Sequence, residues 1–177
     1  MGDVIIVAGV SSSGKSSFIQ EELIARRGLP ETSVKFAWEL DHSAAPQSVE
    51  GCVVHYNLLR QLDRNPELRS ICFAQQPILT QILSSGKPIE AHLIFAPDDE
   101  ILRRIAVRKH VEPKFRGTNS GYPSDKIRAN FLKVDQKRLL IEFGEMFERA
   151  GALVAVWIST NGKFIASDLQ SLRSGGL

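Results

Sequence analysis

Eight residues near the N-terminus, the stretch GVSSSGKS at positions 9–16, have the types and the spacing needed to hold a phosphate group. Gly9 permits a tight turn after the preceding apolar run, and small side chains let the backbone N–H groups point at one anion. The helix expected to begin near Gly14 adds the positive end of its dipole. The stretch therefore predicts a phosphate-binding loop. The residues predicted to bind a nucleotide there are Gly9, Ser11, Ser12, Ser13, Gly14, Lys15, Ser16 and Ser17.

Lys15 and Ser16 are the positions of this stretch that could do chemistry. The pattern is Gly-x-x-x-x-Gly-Lys-Ser, in which the lysine can reach the β- and γ-phosphates and the hydroxyl can bind Mg²⁺. Lys15 is therefore a candidate catalytic residue, and Ser16 a candidate metal ligand. The alternative is a surface turn rich in serine and glycine. The match lies between a predicted strand at 3–9 and a predicted helix at 15–28, which favours the phosphate loop.

With this motif the chain resembles the P-loop NTPases, and among them the small-molecule kinases of the gluconate, shikimate and nucleoside type. A second stretch, LIFAPDDEILRRIAVRK at 93–109, resembles the strand–helix unit of those kinases. The GTPase branch is disfavoured, because no Asp-x-x-Gly occurs in the chain. The resemblance implies ATP and Mg²⁺ as cofactors, and a nucleotide and a small-molecule acceptor as the binding partners.

The resemblance also implies a lid whose arginines approach the transferred phosphate. Arg104 and Arg108 are four residues apart and so share one helical face. Arg104 is predicted to bind the nucleotide, and Arg108 to act in catalysis. The lid is expected at about 108–124, where prolines and glycines predict a loop. The alternative for both arginines is a solvated basic helix end, since positive charge there complements the helix dipole.

The acceptor is expected beyond the second and third strands, because ligands bind at the carboxyl ends of strands in open α/β sheets. The stretch WELDHSA ends the predicted second strand, at 33–40, and Asp41 within it resembles the aspartate that small kinases place there. As a catalytic base, Asp41 would take the proton of the acceptor's hydroxyl. As a metal contact, it would join Ser16. A turn-forming aspartate is the alternative.

The third predicted strand, at 51–57, departs from the family because it ends in His55, Tyr56 and Asn57 rather than in an acid for Mg²⁺. Three alternatives to a metabolite kinase are therefore still compatible with the sequence. They are a sulfotransferase-like enzyme, which needs no metal, a nucleotide-binding regulatory protein with little turnover, and a nucleoside-phosphate kinase. Arg60 and Arg64 lie one turn apart beyond this strand. They could bind a carboxylate or phosphate of the acceptor or form a solvated helix face, and the solvated face is preferred.

The elements that must position these residues alternate between strand and helix. Strands are predicted at 3–9, 33–40, 51–57, 88–97 and 152–160. Helices are predicted at 15–28, from Pro66, from Pro77, at 98–110, at 125–150 and from Ser167. This alternation predicts an α/β fold. The expected architecture is one three-layer P-loop domain over 1–177, with a five-stranded parallel sheet, helices on both faces and a lid loop.

Composition narrows the class of protein. The chain has 177 residues, of which 43% are hydrophobic and 24% charged, as in an ordinary globular domain. The net charge of +2 argues against a nucleic-acid binder. No apolar run reaches the ~20 residues that span a bilayer, and Cys52 and Cys72 form no metal-type pair. We therefore expect a cytoplasmic protein that binds neither nucleic acid nor membrane, with both cysteines filling the core.

Overall fold

A central β-sheet organises the computed structural model, which describes residues 3–43, 48–107 and 124–175. Six strands form this sheet in the order β2-β3-β1-β4-β5-β6. The strands are β1 (Val4–Gly9), β2 (Val34–Phe36), β3 (Val53–Asn57), β4 (Ile89–Phe95), β5 (Leu153–Thr160) and β6 (Lys163–Ser167). The first five are parallel, and β6 runs antiparallel to β5. The sheet is thus six-stranded and mixed, which corrects the prediction of five strands, all of them parallel.

Helices make up most of the remaining regular structure. They are α1 (Lys15–Phe18), α2 (Ala37–Asp41), α3 (Arg60–Arg64), α4 (Pro77–Leu83), α5 (Asp98–Val107), α6 (Ser124–Phe131), α7 (Gln136–Arg149) and α8 (Leu169–Arg173). The first continues directly into a π-helical segment, Ile19–Arg26, so the helix predicted at 15–28 is present with a wider backbone over most of its length. Among the described residues, no helix is both long enough and apolar enough to cross a membrane.

Two hydrophobic cores lie on opposite faces of the sheet, because successive side chains of a strand point to opposite faces. On β1, Ile6 and Ala8 belong to the larger core and Val7 to the smaller one. The larger core includes residues of α4, α7 and α8, while the first helical segment supplies the smaller core. Helices therefore cover both faces, as predicted. Cys52 is buried, as expected, but Cys72 is exposed, so its predicted place in the core is wrong.

The sixth strand, absent from the predicted elements, follows β5 through a two-residue turn. Asn161 and Gly162 both have positive φ, 48° and 71°. These values are typical of a type I′ turn, which joins antiparallel strands and favours the sequence Asn-Gly. Thr160 and Lys163 pair directly across the turn. The residues directly after the predicted strand at 152–160 therefore form the tip of a hairpin.

The second strand is shorter than predicted, because the chain enters α2 directly after Phe36. The Glu39 carboxylate accepts a hydrogen bond from the Phe36 backbone N–H at 3.1 Å. Such a contact closes the first turn of a helix. Asp41 therefore lies at the end of a helix and not at the end of a strand, which corrects its predicted placement.

Two other predicted helices have different limits. The helix predicted from Pro66 is wrong, because α3 begins earlier and ends before that proline. The helix predicted from Pro77 is confirmed as α4. The single helix predicted at 125–150 is divided into α6 and α7. The division arises because the Asp135 side chain caps a new helix start, accepting a hydrogen bond from the Arg138 N–H at 3.0 Å.

A buried histidine connects β4 to β5. His92 is 1% exposed. Its Nδ1 accepts a hydrogen bond from Trp157 Nε1 at 3.0 Å, so the proton of the neutral ring sits on Nε2. Nε2 lies 2.9 Å from Glu90 Oε1. Burial lowers the pKa of His92, an effect that Glu90 opposes. Hydrogen bonding to Arg27 in turn lowers the pKa of Glu90.

We predict that the fold loses stability as the pH falls through the histidine range. The unfolded chain has an ordinary histidine pKa of about 6.5, and the folded pKa of His92 is lower. The unfolded state therefore takes up this proton first, and stability is lost below that pH. Between about pH 7.5 and about pH 5.5, the Tm should fall more in the parent than in His92→Gln. His42→Gln, which replaces an exposed histidine, is measured alongside as a control for the loss of an imidazole. If the Tm of His92→Gln falls over this pH range as much as the Tm of the parent, the prediction is contradicted.

Candidate functional site

The glycine–lysine loop, residues 9–16, leaves the carboxyl end of β1 in the middle of the sheet. Gly9 pairs there with Asn57, the last residue of β3. The backbone passes twice through positive φ, 65° at Ser12 and 108° at Gly14. Helix α1 then starts at Lys15 without a side-chain cap. Left-handed positions in a short loop turn neighbouring N–H groups toward one point, and an uncapped helix start adds further N–H groups, so the backbone is suited to an anion.

Both glycines of the motif are also required by close packing. A Cβ atom at Gly9 would lie 2.5 Å from Ser13 Oγ and 2.7 Å from the Ile94 backbone oxygen. A Cβ atom at Gly14 would lie 2.7 Å from Ser159 Oγ. The loop therefore sits directly against β4 and β5, with no space for side chains at these two positions.

The side chain of Lys15 folds back over the loop. Lys15 is only 4% exposed, and its Nζ donates a hydrogen bond to the Val10 backbone oxygen at 2.6 Å. The Ser13 N–H donates to the same oxygen at 3.3 Å. The ammonium group is thus a buried positive charge held within the loop, and a phosphate oxygen could replace the carbonyl as its partner.

Strand β3 places two side chains beside the hydroxyls of the loop. His55 Nε2 lies 3.3 Å from Ser16 Oγ, and Asn57 Nδ2 donates to Ser11 Oγ at 3.0 Å. Because Mg²⁺ prefers oxygen ligands, the Ser16 hydroxyl fits a magnesium ligand and the His55 imidazole does not. In the described ranges no cluster of three or more His, Cys, Asp or Glu side chains could hold a metal ion. A nucleotide-bound magnesium does not require one, since phosphate and water supply most of its ligands.

Arg104 of α5 binds the outer side of the loop. Its guanidinium donates to the backbone oxygens of Ser13 at 3.0 Å and Ser12 at 3.3 Å. It also donates to Ser159, reaching Oγ at 3.1 Å and the backbone oxygen at 3.3 Å. Nε donates to Glu100 Oε1 at 2.8 Å. One planar cation thus connects the loop, α5 and the end of β5, while the contact of Arg104 with a nucleotide stays a prediction.

Asp41 is held in a buried ion pair with Arg60. The two side chains are 7% and 8% exposed, and Asp41 Oδ1 accepts a hydrogen bond from the Ile78 N–H, at the start of α4, at 3.0 Å. The guanidinium carbon of Arg60 lies 5.8 Å from the centre of the Tyr56 ring. The interpretation of Arg60 as part of a solvated helix face is therefore wrong. The roles predicted for Asp41, as a base and as a metal contact, stay predictions.

The structure brings most of the predicted loop residues together, and it adds His55, whose contact with Ser16 was not predicted. The contact follows from the pairing of β3 with β1, which no local sequence pattern specifies. The carboxyl ends of neighbouring parallel strands share one edge of the sheet, and this rule could have indicated that His55 lies near the loop. Arg108 and the lid expected at 108–124 fall on residues 108–123, outside the described residues, and Ser124 begins α6.

Comparison with known proteins assigns no family to this geometry: no protein-family model matches the chain, and no curated protein matches it significantly. The function of the chain is therefore inferred from the residues of the site and from their contacts.

We predict that alanine at Gly14 costs more stability than alanine at a glycine with a similar backbone elsewhere. Gly14→Ala places a Cβ atom 2.7 Å from Ser159 Oγ at φ 108°, whereas Gly28→Ala, at φ 73°, meets nothing within 4 Å. A left-handed backbone costs an alanine roughly 1–2 kcal/mol by itself. Urea unfolding should show about that loss in Gly28→Ala and a clearly larger one in Gly14→Ala. Equal losses would contradict the close packing of the loop against β5.

Proposed function

We propose that the protein transfers a phosphoryl group from ATP to a small hydroxyl- or phosphate-bearing metabolite, with the help of Mg²⁺. The observation that carries this proposal is the buried ammonium of Lys15, which lies within the loop 2.6 Å from the Val10 oxygen. A phosphate oxygen carries negative charge, so it would be a stronger hydrogen-bond partner for this ammonium than the neutral carbonyl of Val10. Together with the uncapped start of α1 beside it, the positive charge of Lys15 supports binding of a phosphate chain.

The residues of the loop would divide the work of binding the donor. Lys15 would exchange the Val10 oxygen for oxygens of the β- and γ-phosphates, while the backbone N–H groups hold the phosphate chain. Arg104 would keep the oxygens of Ser12 and Ser13 turned outward, so that the N–H groups stay preorganised. The Ser16 hydroxyl would hold Mg²⁺, which when bound neutralises negative charge on the phosphates.

Asp41 would act on the acceptor. Its carboxylate has two partners, Arg60 and the Ile78 N–H. A carboxylate has about four acceptor positions, so an acceptor hydroxyl could bind as well. The two existing contacts orient the group, which would take the hydroxyl proton as the new phosphorus–oxygen bond forms. Arg108 and the lid would close over the transferred phosphate and exclude water.

A nucleotide-binding protein with little turnover is the second candidate. The observation in its favour is the position of His55, 3.3 Å from Ser16 Oγ. The family resemblance leads to the expectation of an acid near this place. Binding of ATP without release of ADP across an acceptor screen would favour this second candidate over a kinase.

We predict that Lys15→Ala abolishes tight binding of ATP and leaves the fold intact. Hydrogen bonds to charged groups contribute about 1.5–3 kcal/mol, so the affinity should fall at least about tenfold. Calorimetry with an ATP analogue measures this change. Lys87→Ala is the control, since Lys87 is a surface lysine paired with Glu50 at 3.1 Å, and it should bind like the parent. Unchanged affinity in Lys15→Ala would refute the phosphate-loop interpretation.

We predict that Asp41→Asn slows turnover by roughly 10²–10⁴-fold while ATP affinity stays near that of the parent. The amide keeps an oxygen for the Ile78 N–H but no longer accepts a proton from the acceptor. The measurements are initial rates of ADP release, a magnesium titration and, because Arg60 loses its charged partner, the Tm. A raised magnesium requirement would assign Asp41 to the metal. A variant that matches the parent in rate, ATP affinity and magnesium dependence would leave Asp41 a purely structural role.

A further inference from the structure

Near the carboxyl end of β3, three buried side chains of the described chain carry hydrogen-bond donors that meet no acceptor. The donors are the hydroxyl of Tyr56, Nη1 of Arg60 and Nε2 of Gln76. The three residues are 0%, 7% and 2% exposed. Buried donors without partners are unfavourable, and native proteins contain few of them. Their presence indicates a partner that the folded chain does not itself supply.

These donors belong to one region at the carboxyl end of β3. Arg60 lies over the ring of Tyr56, 5.8 Å from its centre, and forms the ion pair with Asp41. Asp41 also binds the N–H of Ile78, two residues after Gln76. In the ion pair, Nη2 of Arg60 contacts Asp41 Oδ2, whereas Nη1 has no acceptor.

The local charge favours an anionic partner. Burial raises the pKa of the Tyr56 hydroxyl, which therefore stays a neutral donor, and Arg60, Arg64 and Asp41 all act on it electrostatically. Among the described side chains that act on Tyr56, two are positive and one is negative. The unpartnered atoms are all donors, so the matching ligand is rich in acceptors. The planar fork of an arginine fits a carboxylate or a phosphate in this way.

We propose that Tyr56, Arg60 and Gln76 form an anion-binding subsite for a carboxylate or phosphate group of the acceptor. The subsite lies at the same edge of the sheet as the glycine–lysine loop, because Asn57, the residue after Tyr56, pairs with Gly9. The substrate class is then a small molecule that carries both a group to be phosphorylated and a separate anionic group. The link to an acceptor rests on the proposed function, whereas anion binding at this place does not require ATP.

The informative variant is Tyr56→Phe, because it removes only the unpartnered hydroxyl and keeps the ring that packs against Phe143. The full-length chain is titrated with inorganic phosphate, and separately with malonate, while the Tm is followed. Without anion, Tyr56→Phe should unfold at the Tm of the parent or above, since no hydrogen bond is lost. With anion, the parent should be stabilised, and the apparent Kd of Tyr56→Phe should be about tenfold weaker.

Arg60→Lys tests the fork of the guanidinium, since lysine keeps the charge and loses the planar pair of donors. It should weaken anion binding about as much as Tyr56→Phe. The matched control is Arg103→Lys, at an arginine whose side chain is 64% exposed, and its anion response should equal that of the parent. A response to phosphate alone would indicate a phosphate-bearing acceptor, and a response to malonate alone a carboxylate-bearing one.

Lys15→Ala separates this subsite from the glycine–lysine loop, which would also bind phosphate. If Lys15→Ala keeps the stabilisation that Tyr56→Phe loses, two sites exist and the subsite is supported. If Lys15→Ala keeps the full response and also binds ATP normally, the subsite is supported and the proposed function fails. If Lys15→Ala loses the whole response, the anion binds at the loop only and the subsite is overturned while the proposed function stands. The absence of any anion effect, or equal effects in Tyr56→Phe and the parent, would also overturn it.

Discussion

The backbone oxygens of the glycine–lysine loop need hydrogen-bond partners, because buried carbonyl groups without them are unfavourable. Arg104 is that partner for Ser12 and Ser13, although it lies 92 and 91 positions away in the chain. Its second contact, with Ser159, places the same guanidinium against the end of β5. The shape of the loop therefore depends on the packing of β4, α5 and β5, and not only on the residues of the loop. A substitution in any of these elements that shifts α5 would reach the loop through this one side chain.

The sequence was sufficient where short stretches determine the structure. The apolar run of β1, the glycine–lysine loop and the helix after it were predicted, because the reasons for them lie within about twenty residues. The limits of β2 could not be predicted, since they depend on whether the Glu39 carboxylate reaches the Phe36 N–H. The burial of Arg60 could not be predicted either. It depends on which side of α3 faces Tyr56, and the packing of the whole core determines that. The pair Asn161-Gly162 is a hairpin signal that sequence alone provides, although the predicted elements include no strand after it.

The buried ion pair between Asp41 and Arg60 connects short helices to one another. Desolvation of two ions often cancels their attraction, so a buried pair is weak evidence for stability. This pair connects α2 to α3, and Asp41 extends the connection to α4 through the Ile78 N–H. These are the short helices that follow β2 and β3, and each of them also supplies apolar side chains to the larger core. The pair orients them by charge and hydrogen bonding, and it does so next to the donors of Tyr56 and Gln76.

The order of the strands also determines when the central part of the sheet can be completed during synthesis. Ile5 of β1 pairs with Val53, and Val4 pairs with Ile89, whereas β5 and β6 are joined by a two-residue turn. Contacts between residues distant in the chain form slowly, because the entropy of closing the intervening loop is lost before the contact forms. Among the strands of this sheet β1 is synthesised first, and it gains its second neighbour only after β4 has been synthesised. Until then one of its edges and the loop that follows it are open to chaperones or to wrong pairing.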